Sequence, residues 1–414
     1  MVLVRVCDAL GGCRLIYAPL TSRRRLSFMR IDLSTLRQLA YYTTAALIIA
    51  FVTALGGCSR RPGPSVLDPV SGFKATKLVN VYVASTRAAQ PEAAVPLAEG
   101  GTAAPTYFRY AISIPPNHRP TEIEWPIDVP DPTKHFSVLS AERLNEESLL
   151  AKIGEAAAHG ESLGYDVGIF VHGYNNSFQE SLFRTAQLVA DSNAGRSAVL
   201  FSWPSKAELT GYIADKDAVT LARDALAHVV TRVAADRGVK GVKLVAHSMG
   251  SWLTMEAVRQ IRIASDIRTL EKIDDLTLAA PDIDTEVFLQ QLRVVGRLRS
   301  PVTVLVSKGD QALSFSRFLA GGQLRAGAAD IDDPRVIAGA EAANVRVIDI
   351  SRLATSEGAG HDGFTAYSAI YGRLQTSGDG PIASSVGAGV YALDVTDRLK
   401  PLDARLEHRA ATAQ

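Results

Sequence analysis

An apolar run, Val242-Lys243-Leu244-Val245-Ala246-His247, ends in Ser248-Met249-Gly250-Ser251 and passes directly into a helical pattern. A strand that stops at a serine flanked by small residues lifts the hydroxyl out of the sheet on a turn too sharp for bulky neighbours. The N-terminus of the next helix then aims its unsatisfied N–H groups at the same point. Ala246 stands where this turn usually has glycine, and a methyl group is small enough to serve. A serine hydroxyl attacks a carbonyl carbon only with help: a base within hydrogen-bond reach, and an acid that holds the base's tautomer and stabilises its protonated form. Of the eight histidines, only His361 and His408 follow the candidate carboxylates, and His408 sits in a charged tail with no packing signal. His361 is therefore the expected base. The expected acid is Asp310, at the end of the strand before the last, where this fold usually keeps it; Asp282, one strand earlier, is the alternative.

A second chemical element is Val167-Gly168-Ile169-Phe170-Val171-His172-Gly173-Tyr174-Asn175-Asn176-Ser177. A buried strand runs into His172-Gly173, and Ser177 with Glu180 three residues later has the form of a capping box opening a helix over 178–190. Gly173 lets the chain turn so that the backbone N–H of Tyr174 faces the serine. With the N–H of Met249 it would receive the oxyanion that forms when a carbonyl is attacked, an interaction of about 3–4 kcal/mol per donor in comparable sites. His172 reads as a structural imidazole at the strand end, and Asn175-Asn176-Ser177 as capping chemistry.

The elements that must position these groups alternate. Strands are expected at 77–85 and 106–114, the latter ending at Pro115-Pro116, as a first antiparallel pair. Residues 117–137 read as irregular and 142–159 as helix. Strands follow at 167–171, 198–202, 242–247, 276–280, 302–307 and 345–350, with helices over 178–190 and 215–236 and after Ser248. Residues 204–216 lie between a strand end and a helix, where they can overhang the site, and Tyr174 and Trp203 are candidates to line it. Strands alternating with helices imply an α/β fold with a mostly parallel sheet and helices on both faces, whose ligands bind at the carboxyl ends of the strands. The order serine, aspartate, histidine along the chain is that of α/β-hydrolases.

Composition bounds the rest. The 414 residues are 47% hydrophobic, enough for one large core, and 44 Lys and Arg balance 43 Asp and Glu, leaving no basic excess to draw the chain onto nucleic acid. The three cysteines, Cys7, Cys13 and Cys58, are all near the N-terminus, so the body has no thiol for a zinc cluster or a thiolate nucleophile. From Leu39 to Gly57 no residue is charged, and Arg30 and Arg37 precede this stretch, a secretory-signal layout. It ends in Leu55-Gly56-Gly57-Cys58, which resembles the bacterial lipobox and makes Cys58 the expected lipidation site; an uncleaved membrane span is the alternative. Ser59 after the cysteine favours the outer membrane, by resemblance to known lipoprotein sorting. Met29 is better placed than Met1 to begin such a signal. The expected organisation is a leader and signal over 1–57, a flexible tether over 58–73, an α/β-hydrolase domain over 74–400 and a charged tail over 401–414.

HGYNNS at 172–177, LFSWPS at 200–205, the 212–217 stretch and LVAHSMGS at 244–251 together resemble the bacterial α/β-hydrolase family known as a domain of unknown function, DUF900. AAPDID at 279–284, the strand ending in Asp310 and Ser113-Ile114-Pro115-Pro116 extend the likeness over most of the mature chain. The resemblance implies a Ser-His-Asp hydrolase, usually secreted or anchored. The expectation is an envelope esterase or lipase-like enzyme that acts on a small ester or acyl substrate without metal or organic cofactor. A non-catalytic binding scaffold on the same fold is the alternative.

Overall fold

The computed structural model describes residues 2–7, 13–18, 61–89, 95–96, 100–126, 129–162, 165–192, 195–308, 310–319, 322–351, 363–366 and 391–393. Residues 1–61 form one unit, containing the antiparallel hairpin of β1 (Val2–Cys7) and β2 (Cys13–Ala18), and residues 62–414 form the other.

The larger unit begins earlier than its composition suggests. Residues 62–73 were expected to be part of a tether, but a 3-10 turn at Pro64–Leu67 buries Val66 and Leu67, and the Val70 N–H donates to the Val138 carbonyl at 2.8 Å. Two apolar side chains and one strand-like hydrogen bond are enough to hold this Pro- and Gly-rich segment on the body.

β3 (Lys77–Arg87) and β4 (Gly101–Ile114) form the expected antiparallel pair. A third strand, β5 (Ser137–Leu144), pairs antiparallel with β4 and takes residues that the helical pattern had claimed. Helix α1 (Glu146–Ala158) starts only at Asn145, whose side chain accepts the Ser148 N–H at 2.8 Å, so the N-cap fixes the boundary. The chain continues through β6 (Asp166–Val171), α2 (Phe178–Ser192), β7 (Ser197–Ser202), α3 (Tyr212–Leu221) and α4 (Arg223–Ala235). The helix expected at 215–236 thus starts three residues early, because the Tyr212 ring is buried, and breaks at Ala222. Next come β8 (Gly241–His247), α5 (Met249–Ile263), α6 (Ile267–Lys272), β9 (Ile273–Ala279) and α7 (Thr285–Val295). The last described elements are β10 (Val302–Val306), α8 (Gln311–Leu319), α9 (Pro334–Ala343), β11 (Val345–Asp349) and β12 (Tyr391–Leu393).

The sheet of this unit runs β12-β11-β10-β9-β8-β6-β7-β3-β4-β5. All pairs from β11 to β3 are parallel, and antiparallel pairs close both edges. Both faces are covered, as a parallel sheet requires. Along β6, Val167, Ile169 and Val171 join one core with Leu226, Val230 and Leu253, while Phe170 points to the other face and packs with Phe178, Leu182 and Phe183. After β6 the chain moves to β7 on one side, then returns to β8 on the other. The carboxyl ends of β6 and β8 therefore flank the point where strand order reverses, the crevice in which open α/β sheets bind ligands.

Candidate active site

That crevice is where the two motifs meet. Ser248 follows β8 with φ 52° and ψ −121°, a left-handed backbone that a side chain bearing a Cβ rarely adopts, and its residue is 96% buried. The turn is held from three directions: the Ser248 N–H donates to the Ala279 carbonyl at 2.9 Å, while the Ser248 carbonyl accepts from Ser251 N at 3.0 Å and Asp282 N at 3.2 Å. Met249 is the first residue of α5, so its peptide sits at the positive end of that helix. Ala246 is fully buried, and its carbonyl accepts the Ser251 hydroxyl at 3.1 Å, so the methyl that replaces the usual glycine is accommodated.

The small residues are required by close approach. A Cβ on Gly250 would stand 2.3 Å from the His172 carbonyl oxygen, and one on Gly173 would stand 3.0 Å from the Ser248 Cβ. The turn after β6 and the turn after β8 are therefore in van der Waals contact, which sets the Tyr174 peptide beside the serine. The capping box forms: Ser177 N donates to Glu180 Oε2 at 2.8 Å and Glu180 N to Ser177 Oγ at 3.3 Å.

Beneath this turn lies a polar support that single-sequence reasoning did not single out. Arg87, at the end of β3, donates to the Asn176 carbonyl at 2.8 Å, to Ser202 Oγ at 3.1 Å and to the Ser205 carbonyl at 3.0 Å. Asp215 is fully buried and accepts from Ser205 Oγ at 2.6 Å and Lys206 N at 2.7 Å, and more distantly from Asn175 N at 3.5 Å. Burial pushes the Arg87 guanidinium down to about 10, opposed by the Asp215 charge, and pushes the Asp215 carboxyl up. Arg87 and Asp215 lie 128 positions apart and are linked only in the fold, through Ser205, whose carbonyl accepts from Arg87 and whose hydroxyl donates to Asp215.

From above, the Tyr174 hydroxyl donates to the carbonyls of Glu208 (3.1 Å) and Leu209 (2.5 Å), and its ring meets Tyr212 edge-on at 5.4 Å. Segment 204–216 thus lies across Tyr174. Trp203, a candidate lining residue, is instead fully buried: its ring stacks on His172 at 4.9 Å, and its Nε1–H donates to the His172 carbonyl at 2.8 Å. An indole that ends a buried strand packs inward and satisfies its single donor there.

His172 is a structural imidazole, with Nδ1 2.9 Å from the Gly173 carbonyl and Nε2 3.1 Å from the Trp203 carbonyl. Burial, aided by the Arg87 charge, lowers its pKa to about 3. Between that value and the ordinary 6.5 the unfolded chain binds a proton that the folded chain refuses, so stability declines as pH falls below 6.5, by at most about 1.4 kcal/mol per unit. Denaturant midpoints taken from pH 7.5 down to 4.5 are expected to fall, and His172→Asn to flatten that decline. An unchanged slope in the variant would trace it to other groups.

The two aspartates differ in surroundings. Asp310 is 98% buried directly before α8 and caps it, its Oδ1 accepting the Leu313 N–H at 3.0 Å. Its strand lies two positions from the strand of Ser248, a separation of about 10 Å across the sheet. Asp282 is held by an ion pair with buried Arg325 at 3.1 Å, by the Tyr212 hydroxyl at 2.9 Å and by a short hydrogen bond from Ser316. Ser316 and Arg325 are further residues that the sequence left unmarked. Phe364 stacks on His247 at 4.5 Å and on Phe170 at 6.2 Å, bringing the chain after β11 back to the residue that precedes Ser248. His361 and Cys58 lie outside the described residues. Among the described residues, no group of three or more His, Cys, Asp or Glu is arranged to hold a metal ion.

A strained serine at a topological switch point, with a helix N-terminus beneath it, suits nucleophilic chemistry on an electrophilic carbonyl. Comparison with curated proteins finds no significant match. The sequence profile of a family described as alpha/beta hydrolase of unknown function (DUF900) matches residues 157–377, just over half of the chain, from the end of α1 to beyond β11. With that match and a mostly parallel sheet clad in helices on both faces, the chain belongs to the DUF900 family of α/β-hydrolases.

Proposed function

We propose that this α/β-hydrolase is a serine hydrolase of the bacterial cell envelope that cleaves carboxylic esters. The observation that carries the reading is the backbone of Ser248, held in a left-handed conformation at the junction of β8 and α5. A fold keeps such strain where it has a use, and here it presents a hydroxyl at the switch-point crevice.

In this mechanism Ser248 attacks the ester carbonyl while His361 takes its proton. The oxyanion is received by the N–H groups of Tyr174 and Met249. His361 then returns the proton to the leaving alcohol, and water, activated by the same imidazole, releases the acid and restores the serine. Asp310 orients His361. The separation of about 10 Å between the ends of β8 and β10 accommodates one imidazole between hydroxyl and carboxylate. Covalent reach supports the base: His361 precedes Phe364 by three residues, so at most about 10 Å of chain separates it from the ring stacked on His247. Asp282 is engaged by Arg325, Tyr212 and Ser316, which argues against it as the acid. Lipidation at Cys58, with the leader over 1–57 removed, would anchor the enzyme to the membrane, the outer one favoured by Ser59.

A fluorophosphonate probe tests the reading. Wild-type protein is expected to label, and Ser248→Ala to lose the label while keeping its circular dichroism and melting temperature. Folded wild-type protein that fails to label would leave a non-catalytic binding scaffold.

A further inference from the structure

Half of the large apolar side chains that stand exposed among the described residues fall on three short segments: Leu209 and Ile213, then Phe315, Phe318 and Leu319, then Leu324. Buried hydrogen bonds gather these segments. Tyr212, Ser316 and Arg325 are each nearest neighbours in sequence of an exposed apolar residue, and all three converge on Asp282. The N–H of Asp282 in turn donates to the carbonyl of Ser248. The polar cluster faces inward and the apolar side chains face out, Phe318 with 78% of its surface exposed and Leu209 and Ile213 with 66% each. All three segments lie beyond the carboxyl ends of β7, β9 and β10, on the edge that carries the serine. Side chains this exposed, gathered from three segments, suit a flat apolar partner.

The route of the chain says what that partner is. The larger unit starts at Pro62, whose carbonyl accepts from Gln179 Nε2 at 2.7 Å. Gln179 is the second residue of α2, which starts at the carboxyl end of β6, so the chain joins the body at the active-site edge. Cys58 is four residues before Pro62, a span of at most about 14 Å. A lipid there would keep this edge close to the bilayer.

We infer that the apolar rim of Leu209, Ile213, Phe315, Phe318 and Leu324 docks on the lipid bilayer and that Ser248 acts on acyl esters presented by that surface. The choice of substrate rests on the serine-hydrolase reading, whereas the docking rests on the rim and the chain's point of attachment. Docking is measured with the full chain, in which Cys7, Cys13 and Cys58 are replaced by Ser and a fluorophore is attached through Phe318→Cys or, separately, Ile263→Cys. Ile263 is also open to solvent, with 59% of its surface exposed, but ends α5, about 20 Å from Ser248 at the opposite edge of the sheet. In phosphatidylethanolamine–phosphatidylglycerol vesicles with brominated acyl chains, the label at 318 should be quenched at least threefold more than the label at 263. Equal quenching overturns the docking.

For the substrate, the ratio of vesicle-ester to p-nitrophenyl acetate turnover should fall at least tenfold in Phe318→Asp and stay constant in Ile263→Asp. A constant ratio in both removes the bilayer as the source of substrate. Conversion of a dimer to a monomer by Phe318→Asp, with vesicle binding retained, would assign the rim to a second copy and overturn the proposal. Wild-type protein that takes no fluorophosphonate would fail the hydrolase reading while the quenching comparison still decides the docking.

Discussion

Asp310→Asn is expected to lower kcat/KM for a p-nitrophenyl ester by about four orders of magnitude with little change in stability. The contrast comes from the two tasks of this side chain. Its Oδ1 caps α8 through the Leu313 N–H, and asparagine caps as well as aspartate, so the helix keeps its start. In the proposed triad the carboxylate also stabilises the imidazolium that forms as Ser248 attacks, and an amide carries no charge for that. Asp282→Asn should show the reverse pattern. It strips buried Arg325 of its carboxylate, and breaking a buried pair from one side costs about 3–5 kcal/mol, so the variant should melt early while the surviving folded fraction labels with the probe. Melting curves and initial rates on both variants read the two effects separately. An Asp282→Asn protein that keeps its melting temperature and loses turnover, beside an active Asp310→Asn, would move the acid to Asp282.

Gly250→Ala is expected to destabilise the fold by about 3 kcal/mol or more and to suppress probe labelling of what remains folded. The added methyl would meet the His172 carbonyl oxygen at 2.3 Å and the Val171 carbonyl oxygen at 2.7 Å, both main-chain atoms of β6 and its turn. Backbone inside a parallel sheet has no rotamer with which to yield. Relief requires α5 to move off β6, which widens the gap between the Tyr174 and Met249 peptides. Gly339→Ala in α9 is the control: nothing lies within 4 Å of its added methyl, and alanine in a helix gains up to about 1 kcal/mol over glycine. Denaturant titration of the two variants should give opposite signs, and a Gly250→Ala protein as stable as wild type would show that the two turns are not in contact.

Several elements were legible because their signal is local. The apolar run before Ser248, the small residues around it, and Ser177 with Glu180 each act within a few positions, and the strand, the strained turn and the capping box form where the pattern puts them. The strand–helix alternation implied the sheet for the same reason. The misreadings were also physical. Residues 142–144 fit a helical pattern but extend β5, since pairing with β4 satisfies their backbone and the side chain of Asn145 starts the helix later. Pro and Gly marked 62–73 as tether, yet Val66 and Leu67 share a core with Val81, Val138 and Phe178. Trp203 looked like a lining residue because it follows a strand end, but the space beside His172 took it inward.

By itself, the sequence determined the class of fold, the turn that carries a serine and the order of the groups that could assist it, because strand, helix and turn chemistry depend on neighbours along the chain. Only the tertiary structure decided which aspartate is engaged elsewhere, what supports the 172–177 turn, and which apolar side chains stay exposed around the site. The Arg325–Asp282 ion pair, and the link from Arg87 through Ser205 to Asp215, join charged groups across long stretches of chain. Such pairings are set by desolvation, which acts on distance in space and leaves no periodicity in the sequence.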